Sequence, residues 1–118
     1  MNKYLVKAEK YGYVSEDYIS VNICFTDTLD EANEISRNLN SYANSFEELC
    51  RKYLELFNLK RIQDEEDLLS FLKKEGDNSK IKYYELLLCF SHDISWVESG
   101  LFSSMTFPVE EVKYVTKA

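Results

Sequence analysis

Ile81-Lys-Tyr-Tyr-Glu-Leu-Leu-Leu-Cys-Phe90 is the stretch on which the architecture turns. Apart from Lys82 and Glu85 it is apolar on both faces. A strand covered on both sides shows such a continuous run rather than an alternation, so the run predicts a central strand of a covered sheet. Its neighbours must then come from the rest of the chain. Residues 3–8 alternate Tyr4, Val6 and Ala8 with Lys3, Leu5 and Lys7, as a half-buried strand does. Residues 18–26 place Ile19, Val21, Ile23 and Phe25 on one face, opposite Ser20, Asn22 and Cys24. Gly12 and the polar Ser15-Glu16-Asp17 form the turn between them, and so short a connection favours antiparallel pairing.

Downstream of the run, residues 101–107 point Leu101, Ser103, Met105 and Phe107 inward and Phe102, Ser104 and Thr106 outward. Residues 112–116 suggest one more strand, and Pro108 separates the two because it cannot donate to a ladder. Three helices fill the middle. Thr28 and Glu31 read as a capping box that opens a helix with Ala32, Ile35 and Leu39 inward, until Asn38, Asn40, Ser41 and Asn44 erode helix propensity. Ser45 and Glu48 read as a second capping box, followed by Phe46, Leu49, Cys50, Tyr53, Leu54 and Phe57 at steps of three and four. Asp64 and the acids at 65–67 open a third helix at the positive end of its macrodipole, and Lys73, Lys74 and Gly76 close it. The expected class is α+β. An antiparallel or mixed sheet of four to five strands, two N-terminal and two to three C-terminal, has three helices inserted between and packed on one face.

A length of 118 residues fits a single compact domain, 1–118. Three Gly and one Pro leave little for linkers, while nine Tyr and seven Phe favour strands and aromatic packing. The opening MNKYLVKAEKYGY lacks the apolar core of a secretory signal, and no run approaches a membrane span, so a cytoplasmic protein is expected. The three cysteines, Cys24, Cys50 and Cys89, are an odd and scattered set, better suited to reduced thiols than to a disulfide framework.

Chemistry-bearing motifs are sparse. Cys89-Phe90-Ser91-His92 has Cys-x-x-His spacing, and Cys24 with Cys50 could complete a zinc set, but a structural site normally uses two tight ligand pairs and here only one is present. On a strand Cys89 and His92 point to opposite faces, which also argues against a nucleophile–base pair. Asp64-Glu65-Glu66-Asp67 fans around a helix and lacks a calcium-loop pattern. The glycines at 12, 76 and 100 are isolated from one another and form no phosphate loop. No metal, no cofactor and no catalytic residue is assigned, and the chain is expected not to be an enzyme.

Charge is the informative feature. Between Lys10 and Arg37 there is no base, only Glu16, Asp17, Asp27, Asp30, Glu31 and Glu34. Between Lys82 and Lys113 the pattern recurs with Glu85, Asp93, Glu98, Glu110 and Glu111. These stretches carry -6 and -5, and with +2 from each end of the chain the net charge is -7, which repels nucleic acid and anionic membranes and attracts basic proteins. Tyr11, Tyr13 and Tyr18 accompany the first stretch and Trp96, Phe102 and Phe107 the second, and aromatic anchors beside carboxylates suit a protein interface. The expected contact set is Asp17, Tyr18, Asp27, Asp30, Glu31, Glu34, Asp93, Trp96 and Glu98.

In size and charge the chain resembles small acidic inhibitors such as anti-CRISPR, anti-restriction and toxin-immunity proteins. The resemblance implies a binder whose carboxylates occupy a groove meant for phosphate, on a basic and nucleic-acid-handling partner. Residue usage rich in Lys, Asn, Ile and Tyr suits a bacterial or phage source. The alternatives are a structural or assembly subunit whose apolar strand edge pairs with a copy of itself as a homodimer, and a Cys/His enzyme or zinc domain.

Overall fold

The computed structural model describes residues 2–10, 19–91, 102 and 105–113. Strand β1 (Asn2–Lys10) is the middle of a three-stranded antiparallel sheet, flanked by β2 (Ile19–Thr26) and β3 (Val109–Lys113) in the order β2-β1-β3. Helix α1 (Leu29–Leu56), helix α2 (Glu65–Glu75) and helix α3 (Ile81–Leu87) lie between β2 and β3 in the chain. The class is therefore α+β, with three strands among the described residues. Contacts divide the chain into two compact units, residues 1–40 with 105–118, and residues 41–104; the division falls within α1.

The sheet belongs to the first unit. Val6 and Ala8 are fully buried on the inner face of β1, as their alternation predicts, but Leu5, which the alternation sets on the other side with Lys3 and Lys7, is buried too at 6% exposure. Register runs Val6 to Cys24 and then Lys7 to Asn22, which leaves Ile23 as a bulged residue without a partner. A one-residue bulge reverses which face the following side chains take. Beyond it Cys24 and Thr26 share a face with Val6 and Tyr4, while Phe25 lies opposite Leu5 on the outer face and is 57% exposed. The strict alternation expected for β2 thus fails at Ile23. Ala32 and Leu39 of α1 are fully buried in the same unit, and the Ser36 hydroxyl donates to the Phe107 carbonyl.

Two expected boundaries are corrected within α1. The apolar stripe continues through the expected break, with Ala32, Leu39, Ala43, Phe46, Cys50 and Tyr53 all buried at helical spacing. That burial outweighs the few tenths of a kcal/mol per residue by which Asn and Ser disfavour a helix. Asn40 donates its side chain to the Ser36 carbonyl within the helix. Ser45 caps nothing; its hydroxyl hydrogen-bonds Tyr84. The helix ends at a complete Schellman motif, in which Asn58 at φ 51° lets its N–H reach the Glu55 carbonyl and the Leu59 N–H reach that of Leu54.

The second unit holds the largest correction. Ile81–Phe90 is not a strand but α3 followed by a 3-10 turn over Leu88–Phe90. Tyr83, Tyr84, Leu87 and Phe90 are buried while Lys82, Glu85 and Cys89 are exposed, a three-and-four spacing that a run of leucines conceals. Asp77 starts this segment by accepting from the Ser79 N–H and hydroxyl. Asp64 caps α2 as expected, accepting from the N–H groups of Glu66 and Asp67. Gly76 packs so tightly that a Cβ there would lie 2.6 Å from the Leu72 carbonyl oxygen, which explains its small residue. Aromatic edges organise the interior, with Phe102 perpendicular to Phe90 at 5.9 Å and Phe46 6.1 Å away.

The C-terminal strands also shift. β3 begins at Val109 rather than at residue 112, and the expected strand at 101–107 is represented by a single bridge from Thr106 to Glu9. Pro108 lies between the two, as expected, and its carbonyl accepts from the Lys7 N–H. Met105 and Phe107 are buried as expected, but so is Phe102, which the alternation points outward. Residues 101, 103, 104 and 114–116 lie outside the described residues.

Candidate partner-binding surface

The turn from β2 into α1 carries the expected contact residues that the structure describes. Thr28 supplies the cap, its hydroxyl accepting from the Glu31 N–H at 3.2 Å, and its carbonyl accepts from the Thr26 hydroxyl at 2.8 Å. These bonds fix the chain where the strand gives way to the helix. Asp30 and Glu31 sit in the first helical turn, where the N-terminal dipole favours carboxylates. Glu34 follows on the next turn. Asp27, Asp30, Glu31 and Glu34 are all exposed. Lys3 is 3.3 Å from Asp27 but leaves that carboxylate 78% exposed, so this surface ion pair adds little stability.

Two apolar side chains accompany the acids. Phe25 and Leu29 are 57% and 47% exposed. The expected contact set omits both. Leu29 is legible in the sequence as the residue just inside a capped helix start, whereas Phe25 reaches the surface only because of the bulge at Ile23. Cys24, on the opposite face, has its thiol pushed above its ordinary value by burial and by the Glu31 carboxylate.

The remaining expected residues, Asp17, Tyr18, Asp93, Trp96 and Glu98, lie outside the described residues. The aromatics of the second acidic stretch include two that are core: Phe102 and Phe107 are 5% and 3% exposed. Glu85, read as part of a central strand, is an exposed residue of α3. Glu110 and Glu111 are exposed on β3, where Glu110 pairs with Lys7. The acids of α2 have structural duties, since Asp64 caps the helix and Asp67 accepts the Tyr53 hydroxyl at 2.6 Å.

The cysteines show no shared chemistry. Among the described residues no group of three or more His, Cys, Asp or Glu side chains is placed to hold a metal ion. Cys50 is buried, and burial, reinforced by Glu47, pushes its thiol up to about 12. Cys89 is exposed and its thiol contacts the Leu86 carbonyl at 3.6 Å. Because it sits in a 3-10 turn, strand geometry no longer separates it from His92, which lies outside the described residues. No described helix is long and apolar enough to cross a membrane. No family model, curated protein or solved structure matches the chain.

Proposed function

We propose that this is a small acidic, non-enzymatic binding protein that inhibits a basic, nucleic-acid-handling protein, in the manner of anti-CRISPR, anti-restriction or immunity proteins. One observation carries the reading: four exposed carboxylates, Asp27, Asp30, Glu31 and Glu34, stand with exposed Phe25 and Leu29 in a segment that contains no base. Carboxylates at this density steer a cationic surface toward the molecule, and the two apolar side chains give the encounter something to bury. Structural duty accounts for only part of this charge, because helix-terminal carboxylates contribute roughly 0.3–1 kcal/mol each and an exposed ion pair less.

The test is affinity capture from the native bacterial or phage-infected host at low and at high salt, followed by binding measurements with the purified partner. A basic nuclease or nucleic-acid-binding effector should be retained at low salt, and its activity should fall on binding. Reversing Asp30 and Glu31 to lysine should slow association about tenfold or more at low ionic strength, with a smaller effect at high salt. An unchanged on-rate, or retention only of proteins without a basic surface, would contradict the reading.

A further inference from the structure

We infer that the free edge of β2 takes an extended basic segment of the partner as an added strand. The inference rests on the proposed acidic surface and adds the backbone element that receives the partner. β2 is an edge strand of eight residues, and among the described residues no strand lies on its far side. Edge strands ordinarily carry charges, proline or a bulge to discourage pairing. β3, the other edge, has Glu110, Glu111 and Lys113 with Pro108 immediately before it. β2 reads Ile-Ser-Val-Asn-Ile-Cys-Phe-Thr and has neither charge nor proline. Its one irregularity is the bulge at Ile23, which turns Phe25 to the outer face, where a side chain of an added strand would meet it.

Charge selects the occupant. The strand runs directly into Asp27, and Asp30, Glu31 and Glu34 follow on the first turns of α1. A segment paired along β2 therefore brings one end beside four exposed carboxylates, which fits lysine or arginine there and apolar residues opposite Phe25. A second copy of this chain offers these carboxylates no cation: paired parallel it sets like charges side by side, and paired antiparallel it places its own acids at the other end of a β2 that contains no base.

The probe is a synthetic peptide alternating lysine and valine over about the length of β2, compared with a twin N-methylated at alternate backbone amides. The full chain should bind the first peptide at low salt, with amide exchange slowed in Ser20–Thr26 and unchanged in β3. The methylated twin has the same charge but cannot complete a ladder, so it should bind about tenfold more weakly or worse. Equal binding of the two peptides, or binding of neither, would overturn strand addition while leaving the acidic-surface reading to its own test. Protection of β2 without peptide, accompanied by a mass that doubles with concentration, would also overturn it by making a second copy the occupant. Strand pairing indifferent to Asp30→Lys with Glu31→Lys would instead remove the acidic-surface reading and, with it, the choice of a basic occupant.

Discussion

Tyr53 joins three parts of the second unit through one side chain. Its ring is 5.0 Å from Phe57 and 5.5 Å from Phe71 between centroids, and its hydroxyl donates to Asp67 at 2.6 Å. Burial, and then the Asp67 carboxylate, push its phenol up to about 12 from 10.0. One helical turn earlier, Cys50 rises from 9.0 to about 12 through burial. In both cases the folded chain holds a proton that the unfolded chain has already released. Their contributions are complete below pH 9 for Cys50 and below pH 10 for Tyr53, and are lost as pH rises to about 12. Urea midpoints at rising pH should therefore fall from pH 9 onward. Tyr53→Phe should cost about 1 kcal/mol at pH 7 through the lost hydrogen bond and flatten the fall above pH 10, while Cys50→Ala should flatten its onset. Profiles parallel to that of the parent chain would show that neither group carries the effect.

At the level of elements, α1 shows how far burial overrides propensity. Asn44 is exposed in the helix interior, where asparagine is about 0.5 kcal/mol worse than alanine. Asn44→Ala should therefore raise stability by about that amount in chemical denaturation; a loss would support a break before Ser45. The same helix marks what could be read in the sequence. Local signals were legible where a single side chain caps the helix that follows it within three residues, as Thr28 and Asp64 do. The unbroken stripe from Ala32 to Tyr53 was also present, but the asparagines obscured it. For Ile81–Phe90, several leucines fit a buried strand and a helix face alike, and only the spacing of Lys82, Glu85 and Cys89 distinguishes them. The bulge at Ile23 left no mark at all, because it arises from pairing with β1. Of the described surface, the four acids were readable from their freedom from bases, whereas Phe25 required the bulge.

Taken whole, the molecule carries more negative charge than its own cations answer. Its 21 acids face 14 bases, and several of those bases are spent on carboxylates near them, Lys3 on Asp27, Lys7 on Glu9 and Glu110, Arg51 on Glu47 and Lys52 on Glu75. The surplus repels itself over distances that depend on salt, since the Debye length shrinks from about 30 Å at 0.01 M to about 8 Å at 0.15 M. Screening should relieve that repulsion more than it weakens exposed pairs worth about 0–1 kcal/mol each. The melting temperature at pH 7 should consequently rise as salt is added across this range, and rise less in a variant with Asp30 and Glu34 changed to asparagine and glutamine. A melting temperature that falls with salt would mean that the ion pairs outweigh the surplus. A basic partner would relieve the same repulsion at its source. Excess partner should therefore raise the melting temperature further at low salt, by an amount set by its concentration relative to its Kd, and this gain should diminish as salt replaces the partner in neutralising the surface.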